Sequence, residues 1–173
     1  MLEEMGWDFS VLSADIDERA IRFDDPKVLV LAIANAKAEA LKAKISEPAI
    51  LITADQVVFC NGQILEKPLD EKEAREFLRA YNSFSPETVA GIVVTNLVTG
   101  KKTEAVDIAQ VNFKNFSESD IEYLIAKGDI YNLAGGVDIE GVWASYVDSI
   151  VGTRDSVIGL PKELTKKLVE EVL

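Results

Sequence analysis

The side chains best placed to do chemistry are acids set among apolar runs and lysines set on apolar faces. Asp55 lies between Ile50-Leu51-Ile52 and Val57-Val58-Phe59. A carboxylate there is costly unless it is paired, hydrogen-bonded or turned toward a cleft. Beyond the turn signal Asn61-Gly62, a short strand from Gln63 to Leu65 leads into Glu66-Lys67-Pro68. Such a hairpin would bring Asp55 and Lys67 to the same end of a sheet. A strand-end aspartate and a solvated lysine fit the same pattern equally well. Asp15-Ile16-Asp17-Glu18 reads either as a solvated turn or as a metal or general-base site at a strand end. Lys37 falls about 20° from Val30 and about 40° from Leu41 on a helical projection, so it lies on an apolar stripe. It either snorkels to the edge or meets an anion in a cleft.

The composition narrows what these groups can do. The chain has 173 residues, 48% of them hydrophobic, enough for one domain with a core. The net charge of −12 disfavours nucleic-acid backbones and anionic membranes. A small polyanion such as a nucleotide would need local lysines or a divalent cation. There is no histidine, which removes Ser-His-Asp and Cys-His catalysis and every His-containing zinc site. The single cysteine, Cys60, can form no disulfide within the chain and points to a reducing compartment. The chemistry left is that of carboxylates, lysine or arginine, and oxygen-ligated metals such as Mg²⁺ or Mn²⁺. No apolar stretch is long enough for a transmembrane helix, and the first residues do not have the pattern of a signal peptide.

The elements that must position these groups follow from the patterning. Met1 to Gly6 reads as the end of a helix, with Gly6 in the left-handed closing position. Trp7 to Ala14 is a strand candidate. Asp24-Asp25-Pro26 opens a helix from about Lys27 to Lys44, whose buried stripe is Val30, Ile33, Ala34 and Leu41. Asp70 and Glu73 have the form of a capping box, followed by Ala74, Phe77, Leu78 and Tyr81 on one helical face and a solvated charged face opposite. Thr88 to Leu97 and Thr103 to Phe113 read as a long antiparallel hairpin around Thr99-Gly100. Ser117 and Asp120 cap a helix that stops at Gly128. Trp143 to Val151 is the last strand, Gly152 to Ser156 a polar loop, and Leu164, Leu168 and Val172 mark a C-terminal helix. Leu133 to Gly141, with its paired glycines, fits neither the dinucleotide nor the P-loop pattern. These alternating elements imply a single α/β domain over residues 1–173 with a mixed sheet.

In order along the chain, A-D-I-D-E (Ala14 to Glu18), A-K-A-E-A (Ala36 to Ala40), T-A-D-Q-V-V (Thr53 to Val58), E-K-P (Glu66 to Pro68), A-G-G (Ala134 to Gly136) and G-L-P (Gly159 to Pro161) resemble the Maf family of nucleotide pyrophosphatases. The resemblance implies an elongated α/β fold with a strongly twisted central sheet, flanking helices and a cleft. It implies hydrolysis of a nucleoside triphosphate to a monophosphate and diphosphate, with a divalent cation, Mg²⁺ or Mn²⁺, in the cytoplasm and often as a homodimer. On the matching positions it makes Asp55 the catalytic carboxylate and Glu18 an acidic metal or base position. Glu18 and Asp55 are then the metal ligands, and Lys37 and Lys67 the phosphate-side lysines. Gln56 and Glu140 fall at positions tied to base choice, in a pairing closer to the branch acting on 7-methyl-GTP than to the dTTP/UTP branch. The family's opening strand and its Ser- and Arg-bearing phosphate loop have no counterpart in this sequence. Where many members have a lysine two residues before the A-G this chain has Asn132-Leu133, and Asp138 and Glu140 stand where many have glycine and glutamine. The expected function is house-cleaning hydrolysis of modified or pyrimidine triphosphates; the alternative is a shortened relative that binds a nucleotide or a partner protein with little turnover.

Overall fold

Helix α1 (Pro26–Lys42) begins where the Asp25 carboxylate accepts the Lys27 N–H at 2.8 Å, in a computed structural model that describes residues 1–173. The strand that follows, β1 (Ile50–Cys60), is continuous through Asp55, so the two apolar runs are one element of 11 residues. A turn with positive φ at Asn61 and Gly62 folds it onto β2 (Gln63–Leu65), with Val58 opposite Leu65. Next come α2 (Glu71–Ala80), β3 (Glu87–Asn96), β4 (Lys102–Phe113), α3 (Glu118–Lys127), β5 (Val147–Val151), α4 (Arg154–Ile158) and α5 (Lys162–Val172).

The five strands form one sheet in the order β2-β1-β3-β4-β5, flanked by helices as the α/β reading expects. Its neighbours run antiparallel rather than mixed. β1 with β2 and β4 with β5 pair in that sense. The Leu97 N–H bonded to the Ala49 carbonyl sets the end of β3 against the start of β1. The Asn96 N–H bonded to the Lys101 carbonyl closes the β3–β4 turn. No helix is long and apolar enough to cross a membrane.

The chain forms two compact units, each built from separated segments. The first comprises Met1–Asp55, Ala90–Asp107 and Gly159–Leu173. In it β3 is buried on both faces, and strand alternation divides its side chains between two helices. Val93 packs with Ala34, Ala38 and Leu41 of α1, while Ala90, Ile92 and Val94 pack with Leu168 and Val172 of α5. Gly91 lets α1 come close: a Cβ there would lie 2.8 Å from the Val30 carbonyl carbon and 2.9 Å from the Leu31 nitrogen.

The second unit comprises Gln56–Val89 and Ile108–Ile158. Leu78, Ile121, Leu124, Ile130 and Trp143 are its buried centre, with the Phe113 ring tilted against Trp143 and the Phe116 ring edge-on to it. The charged face of α2, read as merely solvated, carries two forked ion pairs to α3: Arg75 with Glu122 and Arg79 with Glu118, closest approaches 2.7 Å. Tyr81 donates its hydroxyl to the Gly135 carbonyl, and burial holds that phenol well above its usual pKa.

Three further expectations need correction. Trp7 to Ala14 is not a strand: no ladder forms, and Phe9, Val11 and Leu12 stay exposed. Apolar alternation is not enough without a paired neighbour. The last strand begins at Val147, because Gly141–Ser145 winds into a 3₁₀ turn that drives Trp143 into the aromatic core. The polar loop before the C-terminal helix contains α4, whose first turn is tied by the Ser156 N–H to the Thr153 hydroxyl at 3.3 Å.

Candidate active site

Two secondary-structure periods meet at Asp55. Thr53 and Asp55 lie on one face of β1, and Ala34 and Lys37 on one face of α1, a turn apart. The buried Thr53 hydroxyl donates to the Ala34 carbonyl at 2.8 Å, fixing helix against strand. With that contact set, Lys37 Nζ reaches Asp55 Oδ1 at 2.8 Å and lies 3.4 Å from the Ala54 carbonyl. Glu18 closes the group from the other side, its Oε1 2.9 Å from the same nitrogen. It stands in a 3₁₀ turn (Glu18–Ala20) whose capping Asp17 accepts the Arg19 N–H, after Asp15 with φ 54°. The predicted acid run is therefore neither wholly solvated nor wholly a cluster. One of its carboxylates is drawn onto the helix lysine.

Exposure distinguishes the members of this triad. The Asp55 side chain is 12% exposed, Lys37 19% and Glu18 51%. Burial is the largest single influence on Lys37 and works against its charge. The hydrogen bonds and charges of Asp55 and Glu18 together outweigh it, and the ammonium titrates above the ordinary lysine value. Glu18 and Lys37 line a pocket of about 440 Å³ in the first unit, with Asp15, Ile16, Thr53 and Ala54 among its walls. A doubly paired lysine is an anion-binding group held in reserve: phosphate oxygens can replace either carboxylate around it.

The same donors bear on a divalent cation. No three carboxylate, histidine or cysteine side chains gather at one point. Glu18 and Asp55 do converge on a single cationic centre, with a main-chain carbonyl beside them, and all three offer oxygen. One or two carboxylates completed by phosphate oxygens and water is how Mg²⁺ is commonly bound. The oxygen donors present are of the kind that suits Mg²⁺ or Mn²⁺, and Glu18 and Asp55 are the side chains that could hold such an ion.

The second unit holds a separate pocket of about 360 Å³, lined by Gln56, Asn132, Asp138, Ile139, Glu140 and Ile158 among others. Gln56 Nε2 donates to the Ser156 carbonyl at 2.8 Å. Asp138 Oδ1 accepts both the Ile139 and Glu140 N–H groups, at 2.6 and 2.9 Å, and so shapes the turn that presents Glu140. Arg154 Nη2 lies 3.2 Å from Glu140 Oε1 and 3.3 Å from the Ile139 carbonyl. Thus the structure joins Glu18, Lys37 and Asp55 in one ion-paired group, with Glu18 and Lys37 on a pocket of the first unit, and places Gln56 and Glu140 on the wall of the second unit's pocket. Lys67 is exposed, two residues past the end of β2, and is not among the groups gathered on Lys37. Sequence reasoning missed Arg154. It lies in a stretch read only as a polar loop, and nothing local signals a partner 14 residues upstream.

An α/β protein with two carboxylates paired on one lysine, beside a pocket, is equipped to handle an anion or a divalent cation. Comparison with known proteins gives that class a family. The Maf-like protein family matches residues 1–172. The chain is 42% identical over 179 aligned residues to the 7-methyl-GTP pyrophosphatase of Dictyostelium discoideum, covering 99% of this chain and 90% of that one. It is 35% identical over 165 residues to the dTTP/UTP pyrophosphatase of Pyrococcus furiosus, covering 95% and 85%. It is 31% identical over 172 residues to a nucleoside triphosphate pyrophosphatase of a Synechococcus species, covering 99% and 87%. The chain belongs to the Maf-like protein family.

Proposed function

We propose that this protein is a divalent-cation-dependent nucleoside triphosphate pyrophosphatase, acting in the cytoplasm on a guanine-type triphosphate, with 7-methyl-GTP the first candidate. The observation that carries the reading is the convergence of Glu18 and Asp55 on Lys37, which with Glu18 lines a pocket of the first unit. The names of its relatives, all triphosphate pyrophosphatases, agree with it.

The chemistry is attack of a water oxygen on the α-phosphorus, with the bond to the bridging oxygen breaking and diphosphate leaving. Asp55, the more shielded carboxylate, orients the water and takes its proton. Lys37 moves its hydrogen bonds from carboxylate to phosphate oxygens and stabilises the charge that spreads over them. Lys67, exposed just past β2, is kept as the second phosphate-side lysine on the strength of the family resemblance alone. Glu18 and Asp55 would hold the divalent cation, which would withdraw charge from the phosphate and acidify water. In the second unit, the Glu140 carboxylate accepts from the N1–H and exocyclic amine of a guanine-type base, and it repels the carbonyl oxygens of thymine or uracil. A homodimer remains the expected assembly for this family.

Diphosphate release measured across 7-methyl-GTP, GTP, dTTP, UTP and CTP with Mg²⁺ or Mn²⁺ tests the reading. It expects cation-dependent release with the guanine-type triphosphates ahead. Pyrimidine triphosphates ahead would overturn the base assignment, and no release from any of them would overturn the activity.

A further inference from the structure

Helix α4 touches both side chains that line the second pocket with base-recognising chemistry. Its Ser156 carbonyl can only accept, so the Gln56 amide must turn its NH₂ toward it at 2.8 Å. The Gln56 carbonyl oxygen is what remains to the pocket, and the side chain cannot flip to donate without losing that bond. From the first position of the same five-residue helix, Arg154 reaches across to Glu140 Oε1 and to the Ile139 carbonyl. Asp138 fixes the same turn from beneath through the Ile139 and Glu140 N–H groups. The helix is anchored at the Thr153–Ser156 turn, where Thr153 Oγ1 lies 2.6 Å from Ser156 Oγ and accepts the Ser156 N–H. Ser156 itself is buried.

We infer that α4 sets the base preference of the protein: its Ser156 carbonyl makes Gln56 an acceptor, and its Arg154 guanidinium is a positioning residue that holds the Glu140 carboxylate at the rim. The pocket so arranged selects an edge of N–H donors over an edge of carbonyl oxygens. Arg154 contacts no base; it acts through Glu140. An exposed ion pair contributes little to stability, so the arrangement affects which base binds while leaving the fold alone. This inference rests on the reading that the second pocket receives the base.

The test is calorimetric titration of 7-methyl-GMP, GMP and UMP, which needs no turnover, into the parent chain and the Arg154→Ala, Arg154→Lys and Thr153→Val variants. Diphosphate release by the parent is measured alongside. The expected result is a guanine-over-uracil preference in the parent that shrinks roughly tenfold in Arg154→Ala, equivalent to about 1.4 kcal/mol. It should be partly restored in Arg154→Lys and be reduced in Thr153→Val, where the anchor of α4 is lost. An unchanged preference in Arg154→Ala would overturn the inference, as would equal weakening of all three nucleotides. A parent that releases diphosphate without preferring guanine would overturn the role of α4 and leave the hydrolase reading standing. A parent that neither releases diphosphate nor binds any of the three would overturn both.

Discussion

At the level of single residues, the placement of Lys37 between two carboxylates does most to define what the protein can do. A lysine on the buried stripe of a helix admitted two outcomes, and the structure chooses the anion-meeting one because Thr53 locks α1 to β1 one turn away. Lys37→Met is expected to remove turnover and also to lower stability, since it leaves Asp55 shielded with one fewer cation; unchanged thermal unfolding would show that the pairing contributes nothing to the fold. Glu140 carries the base preference in this account. Glu140→Gln is expected to reduce the ratio of kcat/KM for 7-methyl-GTP over UTP roughly tenfold while leaving kcat on the poorer substrate unaltered. An equal fall on purine and pyrimidine triphosphates would remove Glu140 from base choice. Asp55, Lys37 and Glu18 were all visible in the sequence as candidates, yet their mutual contact was not. It depends on helix–strand distance, which no local pattern encodes.

At the level of elements, close packing holds the site residues in place. Gly91 sits where a methyl group would press on the backbone of α1, the helix that carries Lys37. Gly91→Ala is expected to cost about 1–3 kcal/mol through overpacking and to lower Tm by several degrees, with turnover falling more than stability alone accounts for. A variant as stable and active as the parent would mean that α1 has slack. The α2–α3 pairs give a second expectation. Hydrogen bonding to Arg79 and Arg75 holds Glu118 and Glu122 below the usual carboxylate range, and Ser117, with Tyr146 assisting, does the same for Asp120. Carboxylates whose folded pKa is depressed contribute stability that is fully present above the unfolded value, about 4.3 for glutamate, and lost as pH falls through the folded one. The parent should therefore melt somewhat above an Arg75→Met, Arg79→Met double variant at pH 7, with the gap closing below about pH 4. A gap that persists at pH 3 would assign it to packing. The helices and the long hairpin were legible because capping residues and apolar periods are local signals: Asp25, Asp70 and the Ser117 capping box start helices where expected. Trp7 to Ala14 and Trp143 to Tyr146 were misread because pairing and an aromatic core decide them, and both lie far away in sequence.

At the level of the whole molecule, the segments of each unit are scattered along the chain, so no linker or change of composition marks a boundary. The order of motifs carries the family more surely than any one of them, and the match over residues 1–172 agrees with that order. A protein with a charge of −12 acting on a polyanion depends on local cations, so chelation of the divalent ion should abolish turnover and restoring Mg²⁺ should recover it. Chelator-insensitive turnover would rule out the proposed cation. The most direct measurement is diphosphate release from 7-methyl-GTP by the 173-residue chain and by its Asp55→Asn variant in Mg²⁺, with circular dichroism on the same samples. The expected result is release by the parent and at least a hundredfold loss in the variant, roughly the low end of what a general base contributes, with superimposable spectra. A folded parent that releases nothing, or a folded variant that keeps near-parental turnover, would contradict the assignment of Asp55 as the catalytic carboxylate of a triphosphate pyrophosphatase.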